Sequence, residues 1–279
     1  MNRIVFILSP LLLLAGCSVS ADPQHGVEVL STYTLDNALK ETSGLFCDSN
    51  SIYTINDSGN EPELFTLGQD GSLTARVTLD AKNRDWEAIT GDDEYFYIGD
   101  IGNNAGKHKS LTVYKINRAD PVQEAVKRRF TYAGNTPQEN APYAHDYDGE
   151  AMTMRDGKLI LFSKSWATEQ SHVYVLQDIK AKQVLTPFTS VDGLPGVVTG
   201  ADWNGDTQEF VLVGYRSNAL GMFKPFIATV SGDYQLKTVD FLSQFAQVEG
   251  VCYGPDGNVW ISQESTPYTS AKLAKLKFH

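Results

Sequence analysis

The chain has 279 residues, with 34 Asp and Glu against 23 Lys and Arg, for a formal net charge of -11. That balance excludes a nucleic-acid footprint, which needs a basic face for phosphate. With 23 Gly, 11 Pro, 13 Tyr and 13 Phe, the composition suits a single all-β core rich in turns.

In chain order, residues 1–16 read as an address rather than part of the fold. Arg3 supplies a positive start, Ile4 to Leu14 is apolar but too short for a stable bilayer-spanning helix, and Leu14-Ala15-Gly16-Cys17 closes the run. This ending resembles the bacterial lipoprotein signal. The resemblance implies a lipid on Cys17, a membrane partner through that anchor, and, because Ser18 follows, sorting to the outer membrane of the cell envelope. An ordinary cleaved signal with an incidental cysteine is the alternative. Residues 17–26 then form a polar tether.

From residue 27 onward one phrase recurs five times, an oxygen-bearing residue, then Gly or Ala, then an apolar residue. The copies are Ser43-Gly44-Leu45, Glu87-Ala88-Ile89, Glu150-Ala151-Met152, Thr199-Gly200-Ala201 and Glu249-Gly250-Val251, with lead positions 44, 63, 49 and 50 residues apart. Such a period marks an array of supersecondary units that cannot bury their faces alone. Each unit reads as four short strands: 43–47, 51–55, 63–67 and 73–79, then 87–90, 95–99, 111–116 and 128–132. The third offers 150–154, 159–163, 172–176 and 184–188, and the fourth 199–203, 209–214, 225–230 and 236–241. The fifth supplies three, 249–253, 258–262 and 272–278, and its missing outer strand is available at residues 27–35. The expected fold is therefore a single domain over 27–279, a five-bladed β-propeller of four-stranded antiparallel blades whose last blade is closed by the N-terminal strand. The long second interval reads as an inserted loop from Gly134 to Gly149, with a sixth blade around 117–148 as the alternative count.

A ring brings the five lead residues to its axis, where three carboxylates repel unless a cation or a basic group sits among them. Ca²⁺ takes roughly 6–8 oxygens in irregular geometry, so Ser43, Glu87, Glu150, Thr199 and Glu249 are candidate ligands, with Mg²⁺ left open. Zinc is disfavoured by the lack of a His or Cys group with ligand spacing. The alternative is a set of inner-strand carboxylates bonded to backbone amides and channel water.

The loops after each second strand rim the same opening as the lead residues. They bring Asn56, Lys164, Arg216 and Glu264 as candidate ligand-binding groups, and Asp57 and Asp100 as candidates for orienting a water in catalysis. Glu41, Asp85 and Asp148, two positions before lead residues, read as turn and strand-start residues, with tuning or extending the site as the alternative. Trp86, Trp203 and Trp260 read as fillers between blades, and Trp166 as the one tryptophan on the loop face. Cys47 and Cys252 lie on the inner strands of the first and last repeats, at opposite parity from their lead residues. They are expected either to be bridged or to be two buried thiols.

Three phrases, Glu41-Thr42-Ser43-Gly44-Leu45, Asp85-Trp86-Glu87-Ala88-Ile89 and Val248-Glu249-Gly250-Val251, resemble inner strands of the phytase-like and SdiA-regulated bacterial propellers. The series Ser43, Glu87, Glu150, Thr199, Glu249 is similar to the axial series of soluble calcium-activated nucleotidases. That resemblance implies one Ca²⁺ on the axis of a five-bladed ring. The expected function is an outer-membrane-anchored propeller binding Ca²⁺ on its axis and a small polar or phosphorylated ligand, or an envelope protein, on its loop face. The alternative is a calcium-dependent phosphohydrolase or esterase, in which Lys164 and Arg216 offset negative charge. No nucleophile elbow or phosphate-binding glycine loop accompanies it.

Overall fold

A computed structural model describes residues 26–178, 180–217 and 223–279. The leader, Cys17 and most of the tether lie outside the described residues. Among those described, no helix is long and apolar enough to cross a membrane.

β1 (Val27–Thr34) leads through a short 3-10 turn at Asn37–Leu39 into the first blade, β2 (Thr42–Cys47), β3 (Ile52–Asn56), β4 (Glu63–Leu67) and β5 (Leu73–Thr78). The second blade is β6 (Trp86–Gly91), β7 (Tyr95–Asp100), β8 (Leu111–Asn117) and β9 (Val126–Tyr132). Then come β10 (Gly149–Arg155), β11 (Lys158–Ser163), β12 (Ser171–Leu176), β13 (Lys182–Leu185) and β14 (Thr189–Val191). The fourth blade is β15 (Val197–Asn204), β16 (Glu209–Ser217), β17 (Phe223–Ser231) and β18 (Leu236–Phe241). The chain ends with β19 (Val248–Tyr253), β20 (Val259–Gln263) and β21 (Lys272–Phe278). Each inner strand meets the next in chain order, and β19 meets β2, so five blades close a ring. Among the described residues no strand forms between Tyr132 and Gly149, and the sixth-blade count falls away.

The outer strand expected at 184–188 divides differently. β13 adds in parallel to β9 as a fifth strand of the second blade, and β14 is the outer strand of the third. The cause is an ionic anchor at the turn before β13: Asp178 accepts from Lys115 at 2.6 Å and from Arg128 Nε at 3.1 Å, both on the second blade. Leu185 then buries itself beside Phe130 and Tyr132, while Val184 is left 70% exposed.

All five inner strands carry a β-bulge at the repeated phrase. In four of them the extra, unpaired residue is the lead residue itself, Glu87, Glu150, Thr199 or Glu249. A bulge re-aims its side chain away from the regular alternation. In the first blade the extra residue is Gly44, at φ +65°, where a Cβ would come within 2.8 Å of Ile89 N. The small second residue of each phrase follows from this crowding at the axis. A Cβ on Gly250 would stand 2.8 Å from the carbonyl carbon of Gly44.

Apolar layers fill the spaces between blades, with Trp86 and Trp260 fully buried and Trp203 covered by the guanidinium of Arg155 at 4.2 Å. Polar staples reinforce them. Ser43 Oγ donates to Trp86 O at 3.0 Å and Thr199 Oγ1 to Val248 O at 2.7 Å, each across a blade boundary. Asp202 ties three blades, accepting from Thr153 Oγ1, Trp203 N and Tyr253 N at 2.8–2.9 Å.

The ring is closed twice. β1 pairs antiparallel with β21 from Val27↔Phe278 to Thr34↔Lys272, and a disulfide joins Cys47 to Cys252, 205 residues apart. Constraining so long a loop restricts the unfolded chain strongly. Replacing both cysteines by alanine is expected to lower the unfolding free energy by about 2–5 kcal/mol, read as a lower urea midpoint under oxidising conditions. An unchanged midpoint would mean that the strand exchange closes the ring unaided.

Candidate functional site

The three bulged glutamates and the loops after the second strands meet in a cavity of about 270 Å³ at one mouth of the axial channel. Its lining includes Asp57, Glu87, Glu150, Lys164, Glu249 and Glu264. Of the residues singled out in the sequence, these six and Trp166 come together. Ser43 and Thr199 do not line it, because their hydroxyls turn to the carbonyls of neighbouring blades. Asn56 is buried with its amide nitrogen on Ala38 O at 2.7 Å, and Arg216 is exposed outside the lining. Asp100 lies behind the cavity wall, where its Oδ1 accepts from Asp85 N at 2.8 Å. It positions Asp85 rather than facing the cavity.

Lys164 supplies the basic group that three converging carboxylates require. It follows β11, is 5% exposed, and its Nζ stands 3.0 Å from Glu150 Oε1. Burial alone would lower its pKa, but Glu150, Tyr215 and Glu249 more than reverse this and hold it well above the ordinary lysine value. Glu249 is held differently, by Gln247 Nε2, which donates to Glu249 Oε1 at 2.7 Å and to Glu264 Oε2 at 2.9 Å.

On the other side of the mouth no such partner exists among the described residues. Asp57, Asp85 and Glu87 offer oxygens that all lie within 4.8 Å of one another. Asn83 Nδ2 fixes the Asp57 backbone by donating to its carbonyl at 2.8 Å. Any side chain on Gly102 would collide with the carboxylates of Asp85 and Glu87, so this glycine leaves them their space. Glu87 is 7% exposed and makes no hydrogen bond or ion pair among the described residues. Burial first, then Glu150 and Asp57, push its pKa well above the usual carboxylate range. Burial with Asp57 and Asp148 raises Asp85 to about 6, and burial with Glu249 and Asp57 raises Glu264 to about 9.

Asp85 thus stands with Asp57 and Glu87, and Asp148 lies behind the wall holding Trp166, although two positions before a lead residue both read first as strand-start groups. Asp148 Oδ2 accepts from Trp166 Nε1 at 3.0 Å and Oδ1 from Asn103 N at 2.5 Å. Their recurrence at that fixed offset was the available signal. Tyr215, Gln247 and Asn104 complete the wall with Trp166, and no spacing in the sequence marks the first three.

No protein-family model matches the chain, and no curated protein matches it. Solved structures do. The soluble aldose sugar dehydrogenase of Escherichia coli, in its apo form, is 13% identical, with a TM-score of 0.50 over 91% of this chain and 100% of that one. A putative oxidoreductase (glucose dehydrogenase) of Thermus thermophilus is 11% identical, with a TM-score of 0.50 over 88% and 99%. The Dos1 propeller is 12% identical, with a TM-score of 0.42 over 84% of this chain and 56% of that one, so the chain spans little more than half its length. At these identities the first two likenesses bear on the propeller fold alone.

A carboxyl whose pKa is higher in the folded than in the unfolded chain favours folding below its unfolded value, and that contribution is lost as pH rises through the folded one. With Asp85 at about 6 and Glu264 at about 9, the metal-free protein is expected to lose stability from pH 5 to pH 9. Melts in chelator would read this as a falling Tm, with Glu264→Gln flattening the alkaline part. A flat or rising Tm would contradict the assignment. Lys164→Ala is expected to cost about 3–5 kcal/mol at pH 8, because it strands a buried charge, and less at pH 5.

Proposed function

We propose that the chain is an envelope-anchored binding propeller that takes Ca²⁺ at the mouth of its axis and a polar ligand above it. What supports the metal is the trio Asp57, Asp85 and Glu87, three carboxylates in mutual reach with Lys164 committed to the opposite wall. The fit is to a hard cation. All three donors are carboxylate oxygens, no His or Cys joins them, and buried Glu87 lacks any partner among the described residues. Three side chains leave positions for water and ligand oxygens, and the irregular arrangement of the three donors fits the flexible coordination of Ca²⁺. Bound there, the ion would offset the clustered negative charge and draw an oxygen of the ligand toward it. Of the ring of five expected as ligands, Glu87 keeps this role. Glu150 and Glu249 serve the Lys164 side, and Asp57 and Asp85 take the places given to the two hydroxyls.

Anchoring rests on the sequence Leu14-Ala15-Gly16-Cys17, and the Cys47–Cys252 bridge agrees with an oxidising envelope compartment. Phosphoester or ester hydrolysis has less support. Lys164 is spent on Glu150, Arg216 stands outside the cavity, and Asp100 is bonded to the backbone of Asp85, so only Asp57 remains in the position that reading needs.

Melts with Ca²⁺ and with chelator test the metal. At about 100 times the Kd, the bound ion adds about 2.7 kcal/mol, a rise in Tm of several degrees. Asp85→Asn and Glu87→Gln are each expected to remove most of that rise. No rise in the wild type would end the metal reading.

A further inference from the structure

The indole and glutamine N–H donors of the mouth, and its one ammonium, are already engaged with its carboxylates. Gln247 Nε2 is shared between Glu249 and Glu264, Trp166 Nε1 is on Asp148, and Lys164 is paired with Glu150. Among the acceptors of the lining, the amide oxygen of Asn104 has no hydrogen-bond partner in the described residues, Glu150 Oε1 has only the Lys164 ammonium, and buried Glu87 makes no hydrogen bond or ion pair there. A ligand entering here must donate hydrogen bonds and bring positive charge. Phosphates and carboxylates would meet five carboxyl groups, Asp57, Glu87, Glu150, Glu249 and Glu264, against one ammonium already paired with Glu150.

The remaining wall is aromatic. Tyr143 packs edge-on against Trp166 with ring centroids 5.2 Å apart, and Phe223 packs likewise against Tyr215 at 4.6 Å. All four rings line the cavity. The chain's own ammonium shows what such a wall accommodates: Lys164 Nζ lies 5.3 Å from the Trp166 ring and 5.4 Å from that of Tyr215, with Glu150 beside it. Tyr143 is 61% exposed and sits at φ 54°, a conformation disfavoured for a non-glycine residue, with its N donating to Asn104 O at 3.0 Å. Core packing does not explain a tyrosine held there. The inserted loop from Gly134 to Gly149 presents it at the mouth. A cavity of about 270 Å³ is also far larger than one ion needs, at about 30 Å³ for a water in the liquid.

We propose that the mouth binds a small organic primary ammonium, its nitrogen among Glu87, Glu249 and Glu264 and its carbon body against Tyr143 and Trp166. This rests on the reading of the mouth as a cation-accepting site and names its ligand class. A primary amine offers the N–H donors that the unpaired acceptors require, which a quaternary ammonium lacks.

The probe is 1,4-diaminobutane, titrated calorimetrically in chelator at fixed ionic strength and compared with 1,4-butanediol and tetramethylammonium. The diamine is expected to bind at least tenfold more tightly than either comparison compound. Tyr143→Ala, at an exposed position that spares the fold, is expected to weaken the diamine by about 2–5-fold and to leave the Ca²⁺-induced rise in Tm unchanged. Glu264→Gln is expected to weaken it by about tenfold. Equal binding of the diol, or no diamine binding at about 10 mM, overturns the proposal, and an unchanged diamine affinity in Tyr143→Ala removes the aromatic wall from it. A calcium response without diamine binding sinks this inference alone. Diamine binding without a calcium response supports it and sinks the metal reading instead.

Discussion

Like charge forced together at a shared axis is the constraint around which this molecule is organised. Radial packing of five sheets drives Glu87, Glu150 and Glu249 toward one another whether or not the electrostatics favour it, and burial strips them of water. One buried lysine answers the repulsion, but it stands against Glu150 and leaves Glu87 an unpartnered carboxylate among the described residues. The asymmetry is what turns a structural problem into a binding site. A ring neutralised evenly would have no side left to receive a ligand.

The bulges are the local device that makes this convergence. Without the extra residue, a lead side chain would follow the alternation of its strand and point between blades, as the Ser43 hydroxyl does in the first blade, where Gly44 takes the bulge instead. Thr199 is bulged yet its short hydroxyl also turns to the next blade, donating to Val248 O rather than lining the cavity. Side-chain length thus divides the five lead residues into three that face the cavity and two that lock blades together.

Much of this was legible in the sequence because repetition is local information. The five phrases, the turn residues between strands and the orphaned strand at 27–34 are each visible within a few dozen residues, and together they imply the closed ring. The site was legible to the extent that topology alone decides it, which is why Lys164, Glu264 and Asp57 meet the axial glutamates. What escaped depends on contacts across blades. Asp85 needed Gly102 to make room, β13 needed Asp178 to draw it to the second blade, and Arg216 lies one residue beyond inward-facing Tyr215 on the same strand. Register at that resolution is decided by packing, which a pattern of residue types does not encode.

The strand exchange that completes the fifth blade also fixes where the polypeptide leaves it. Val27 pairs with Phe278, and His279 N donates to Gly26 O, at the ends of β1 and β21 remote from Thr34 and Lys272. Gln263, beside Lys272, leads into the rim loop, so Gly26 and His279 emerge together on the opposite side of the disc. Anything attached at either terminus would hold the disc like a flower on its stem, with the acidic opening turned outward and unobstructed.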